Sequence, residues 1–166
     1  MKKRGITLIE LVTVIVVVGL AIPVLLRLFA DVAKRTAQSE TLAASSFYAE
    51  QLMEEIKAKR FDENPTSPWS AVLGPDTGTT GLDGTTNETA SGKSNWDDVD
   101  DFNGYSNNPA TGYTRSVAVV YLNSTIAPGG TWQALSSGTS DYKRVTVTVA
   151  RGALGGASLV TIIASD

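Results

Sequence analysis

The chain has 166 residues, no cysteine, no histidine and a formal net charge of −3. This length holds one soluble domain and one membrane segment, and the two missing residue types exclude a disulfide framework, cysteine-ligated zinc and the commonest general base, so an enzyme is the least supported class. The mild acidity gives no electrostatic case for nucleic acid, because Arg115, Lys143, Arg144 and Arg151 are too few to build a basic stripe.

The chain opens with Lys2, Lys3, Arg4 and Gly5, and an almost unbroken apolar run follows from Ile6 to Leu26. As a helix, about 21 residues would rise roughly 31 Å, enough to cross the hydrocarbon core of a bilayer. The cations on its short leading flank predict a cytoplasmic amino terminus and an exported remainder. A secretory signal cut at Gly19-Leu20-Ala21 and a plain anchor are two alternatives, but neither gives a reason for Glu10. A carboxylate near the bilayer centre costs about 2.5 to 3.5 kcal/mol on insertion scales, which makes it a functional residue by default. Cleavage after Gly5 supplies the reason. It would leave the amine of Ile6 one helical turn, roughly 6 Å, from Glu10, where the two charges could neutralise each other within a chain or between neighbours. Glu10 also lies in the first turn, where the helix dipole favours an acid.

Arg4-Gly5-Ile6-Thr7-Leu8-Ile9-Glu10-Leu11 resembles the processing site of type IV prepilins and of the pseudopilins of type II secretion. The resemblance implies that a membrane-embedded peptidase cuts between Gly5 and Ile6 and methylates the new amino terminus. It also implies that Glu10 is the assembly glutamate. Ile6 departs from the phenylalanine most common in that family.

Beyond Arg27 the helical pattern continues to about Arg60 and becomes amphipathic. Leu42, Ala49, Leu52, Met53 and Ile56 recur at helical spacing, and Phe47 and Tyr48 widen their face. Glu55 and Lys59 stand one turn apart, Lys57, Lys59 and Arg60 suit the carboxyl end of the dipole, and Asn64-Pro65 closes the segment. Gly19 and Pro23 are expected to bend or loosen the membrane half.

Residues 62–112 read as an irregular region rich in turn formers, with Gly74-Pro75-Asp76 and Asp83-Gly84 as turn signals and Trp69 and Trp96 as anchors to the core. Within it, Asp97, Asp98, Asp100, Asp101 and Asn103 concentrate the oxygen donors that calcium prefers, although their spacing is not that of an EF-hand loop. Two other readings stand beside calcium: a solvated acidic turn, and aspartates that cap backbone amides. This segment, together with Tyr48 to Glu63, resembles minor pilins of the mannose-sensitive haemagglutinin type. That resemblance implies a low-abundance subunit whose acidic loop packs near the end of the long helix.

Three runs at the carboxyl end carry the period of two expected of half-buried strands: Tyr113 to Leu122, Tyr142 to Val149 and Ser158 to Ala164. Gly152 to Gly156 would turn the last two into an antiparallel hairpin. The helix face from Leu42 to Ile56 is the element long enough to cover the sheet.

These readings predict an α+β fold. Its parts are a leader (1–5), a membrane and polymerisation helix (6–28), an amphipathic continuation (29–61), the irregular region (62–112) and an antiparallel sheet (113–166). The leading functional expectation is a pilin or pseudopilin subunit. Its partners would be other subunits, a prepilin peptidase and an inner-membrane assembly platform. It would begin as a single-pass inner-membrane protein and end in a periplasmic or surface filament, with no cofactor required beyond the calcium considered above. The alternative is an anchored extracytoplasmic module that binds calcium or carbohydrate and does not polymerise.

Overall fold

The computed structural model describes residues 7–75, 88, 92–123 and 132–165. Its first element is α1, Leu8–Lys57, a helix of 50 residues that continues through Gly19 and Pro23. Thr7 starts it, its Oγ1 accepting a hydrogen bond from the Glu10 amide at 3.3 Å. Thr13 and Thr36 turn their hydroxyls back to the carbonyls of Ile9 and Val32, at 2.7 and 3.1 Å, so neither hydroxyl needs an outside partner. Residues 7–36 are all exposed, and the apolar stretch is long and hydrophobic enough to cross a membrane.

Chain contacts separate Met1–Glu40 from Thr41–Asp166. In the second unit α1 buries Thr41, Ser45, Ala49, Leu52, Met53 and Ile56, a stripe spaced three and four residues apart. Leu42, expected on this stripe, is instead 53% exposed. The helix ends at Lys57 rather than near Arg60 because the backbone of Arg60 is taken by the acidic loop. Its amide donates to Asp97 O at 3.2 Å, and its carbonyl accepts from Val99 N at 3.0 Å.

The sheet has four antiparallel strands: β1 (Ser106–Asn107), β2 (Thr114–Tyr121), β3 (Tyr142–Ala150) and β4 (Gly156–Ala164), in the spatial order β1-β2-β3-β4. β1 is too short for a period of two to register in the sequence. In register, Val117 faces Val147, Val119 faces Val145 and Leu159 faces Val147. These valines form one core with Leu52, Met53 and Ile56 of α1 and with Trp96, Val99 and Phe102 of the loop, and Leu159 and Ile163 pack at its margin. Val160 and Ile162 occupy the opposite face of β4 and stay exposed.

One side-chain pairing differs from the expectation. Glu55 pairs with Lys93 at 2.6 Å rather than with Lys59, whose ammonium donates to the carbonyl of Trp96; Lys57 pairs within the helix, with Glu54 at 2.9 Å. For Glu55 and Lys59 the segment from Lys93 to Trp96 brings partners that displace the pair within the helix.

The hairpin between β3 and β4 closes with Arg151 N donating to Gly155 O at 2.8 Å. β4 begins two residues earlier than its alternation suggests, because Gly156 already pairs with Ala150. A Cβ at Gly156 would sit 1.9 Å from Val149 O and 2.7 Å from Ala150 Cα. Both are backbone atoms within a paired strand and cannot yield. Gly156→Ala is therefore expected to destabilise the head by about 1 to 3 kcal/mol, read as a lower denaturation midpoint in urea; Gly138→Ala meets open space, and the strain of a side chain at its φ of 83° alone costs about 1 to 2 kcal/mol.

Candidate functional site

Two regions carry the residues singled out from the sequence. In the first, Gly5 and Ile6 lie outside the described residues. Glu10 lies in the first turn of α1 and is exposed. It stands three residues after the capping Thr7, so it also completes the Thr-x-x-Glu pattern of a helix start.

The second region is the acidic loop, which meets the end of α1 through a bridge between Arg60 and Asp98. Its aspartates divide their work. Asp98 Oδ1 accepts from the amides of Asp100 and Asp101 at 2.8 and 3.1 Å, and Asp101 Oδ2 accepts from those of Asp97 and Asp98 at 3.0 and 3.1 Å. These bonds hold the tight turn Asp100–Phe102, with the aspartates acting as caps on backbone amides. Asp97 forms an ion pair with Arg60. Asn103 accepts from Val119 N at 3.0 Å and its amide reaches Leu73 O at 3.4 Å, tying the loop to β2. Trp96, Phe102 and Tyr105 pack edge to face with ring centroids 5.1 to 6.3 Å apart, on the core side of the loop.

The five residues proposed for calcium thus do not form a single donor set. Asp97, Asp98 and Asp101 each bring a carboxylate oxygen within 4.8 Å of the others, and Glu63 and Glu88 converge on Asp97 in the same way. Asp100 and Asn103 are directed elsewhere.

Asp100 belongs to a polar centre that the sequence reading missed. Lys143 of β3 is fully buried, and its ammonium bonds Asp100 Oδ1, Asp62 Oδ2 at 2.9 Å and the carbonyl of Phe61 at 2.6 Å. It lies 4.5 Å from the ring centroid of Phe61 and 5.2 Å from that of Tyr121. Asp62 also accepts from the amides of Asn64 and Ser70 at 3.1 Å, and the Tyr121 hydroxyl stands 3.0 Å from its Oδ2. Burial and the charge of Asp62 raise the Tyr121 hydroxyl above its ordinary range, so it stays protonated as a donor. Lys143 and Arg115 are therefore not surface cations. Arg115 is buried as well, bonding Tyr48 O at 2.9 Å and Asn107 Oδ1 at 3.0 Å. Strand parity carried the signal for both, since Lys143 shares the face of Val145, Val147 and Val149, and Arg115 that of Val117 and Val119.

Burial followed by the charge of Asp101 raises Asp98 to about 7, burial followed by the charge of Asp98 raises Asp100 to about 8, and burial followed by a side-chain hydrogen bond shared with Glu88 raises Asp101 to about 7. No family model matches the chain, and neither the curated proteins nor the solved structures yield a match.

Because these carboxyls hold protons more tightly in the folded state than at the unfolded value of 3.8, their contribution is complete below that value and is lost as pH rises through about 7 to 8. The thermal midpoint of the head is thus expected to fall between pH 5 and pH 8. Asp98→Asn keeps an Oδ1 acceptor for the two loop amides but removes the charge, so its midpoint should exceed the wild type's at pH 8 and vary less with pH. A wild-type midpoint that rises from pH 5 to pH 8 would contradict this.

Proposed function

We propose that the chain is a pilin or pseudopilin subunit, cut after Gly5 and assembled through its amino-terminal helix into a type IV pilus or a type II secretion pseudopilus. The observation that carries this reading is the first part of α1, an apolar helix exposed along its whole length with a single acid in its first turn. A helix of this kind needs lipid or other apolar helices around it. Before assembly the bilayer would supply those surroundings, and in a filament the neighbouring helices would. Glu10 gives the exchange direction: in lipid its carboxylate is costly, and beside a neighbour's new amine it is paired.

The packed head supports the same reading. α1 passes from an exposed apolar helix to one that buries a narrow stripe, so a single helix serves both a polymerising stem and a folded domain. Trp96, Phe102 and Tyr105, the aromatic residues beside the acidic loop that a carbohydrate-binding module would need at its surface, are spent largely on the core and on one another. That weakens the non-polymerising alternative.

Amino-terminal sequencing of protein taken from the cells that make it tests the proposal. Ile6 as the first residue supports it, Ile22 would mean a secretory signal, and Met1 an uncut anchor. Glu10→Val is expected to leave the cut at Gly5 intact yet lower incorporation into sheared filaments about tenfold or more, the effect of about 1.4 kcal/mol per subunit. Wild-type incorporation of that variant would remove Glu10 from assembly.

A further inference from the structure

We propose that Lys143 and Asp100 form a modification site, at which the head closes an intramolecular amide between Lys143 Nζ and the carboxyl carbon of Asp100. Four observations lead there. The Lys143 ammonium is in direct contact with Asp100 Oδ1. The side chains of Lys143, Asp62 and Asp100 are 0%, 0% and 4% exposed, so bulk water does not reach the pair. The rings of Phe61 and Tyr121 wall the site. A second carboxylate, that of Asp62, touches the same nitrogen at 2.9 Å.

The two acids are not equivalent. Asp62 accepts from the amides of Asn64 and Ser70 and touches the Lys143 nitrogen through Oδ2, so its carboxyl is fixed in place with an oxygen on Nζ, the position a base needs. Asp100 Oδ1 meets Lys143, and its carboxyl faces that of Asp98, an arrangement in which a proton is readily shared and the acid is readily neutral. Asp100 is accordingly the electrophile and Asp62 the proton carrier.

In the reaction, one proton passes within the Lys143–Asp100 pair, giving an amine and a carboxylic acid. Nζ then attacks the carboxyl carbon and a C–N bond forms. Asp62 takes a proton from the nitrogen and delivers it to the departing hydroxyl; the C–O bond breaks, water leaves and Asp62 is again a carboxylate. The products are one amide and one water. No oxidant, metal or activating group is consumed. Two groups held in contact react with effective molarities of about 10⁵ M or more when their alignment is good. The amide also replaces a buried ion pair, which is costly to keep, with a neutral group whose N–H can bond the carbonyl of Phe61. The link would join residues 43 apart and fasten the acidic loop to the middle of the sheet.

Mass spectrometry of the full chain in detergent is the test. The wild type should be lighter by one water than its sequence, once its amino terminus has been read from the same digest, and trypsin should yield a branched peptide joining Lys143 to Asp100. Lys143→Arg and Asp100→Ala should regain the water. Asp62→Ala, checked for native circular dichroism, should close the bond about 100-fold more slowly. A wild-type chain of full mass, with the Asp100 and Lys143 peptides recovered separately, overturns the proposal without recourse to any variant. That result is independent of where the amino terminus is cut, so this inference and the filament reading stand or fall apart.

Discussion

The head is organised around one buried ammonium. Lys143 enters the core on the same face of β3 as three valines, and a charge in that position survives only with close partners. Those partners come from two distant stretches: Asp62, just past the end of α1, and Asp100, inside the acidic loop. Satisfying this cation therefore brings together the helix terminus, the loop and the sheet. The Arg60 backbone bridge to Asp98 and the packing of Phe61 against Trp69 follow at the same junction.

An excess of acid surrounds that cation. Asp62, Glu63, Glu88, Asp98, Asp100 and Asp101 are buried, against the buried cations Lys143 and Arg115 among the described residues. Burial and mutual repulsion raise Asp98 and Asp100, and burial and a hydrogen bond shared with Glu88 raise Asp101, so part of this excess is relieved by bound protons. The loop is thus a packed element rather than a solvated turn. Its aspartates cap amides and pair with Lys143 and Arg60.

The amino-terminal part of α1 has a different economy. It buries nothing within the chain, and its threonine hydroxyls are satisfied by its own carbonyls. Its apolar side chains find no cover within the described residues, whereas the stability of the head depends on the internal fit of charge and aromatic packing. One helix can carry both because helical hydrogen bonds are local and indifferent to what covers the side chains.

Much of this was legible without coordinates. Hydrophobic periodicity marked α1, three of the four strands and the hairpin between β3 and β4, because each is set by short-range repeats. Thr7 and Glu10 at the helix start were equally local. The charged centre was not, since Lys143 lies 81 residues from Asp62 and 43 from Asp100, and no spacing rule connects them. Nor could spacing separate Asp98 and Asp101, which cap amides, from Asp100, which turns to the core. The order of residues along the chain settled which segments become helix and strand; which acids meet which cation was decided when those segments packed, because charge pairing in a core depends on distance through space and on the exclusion of water.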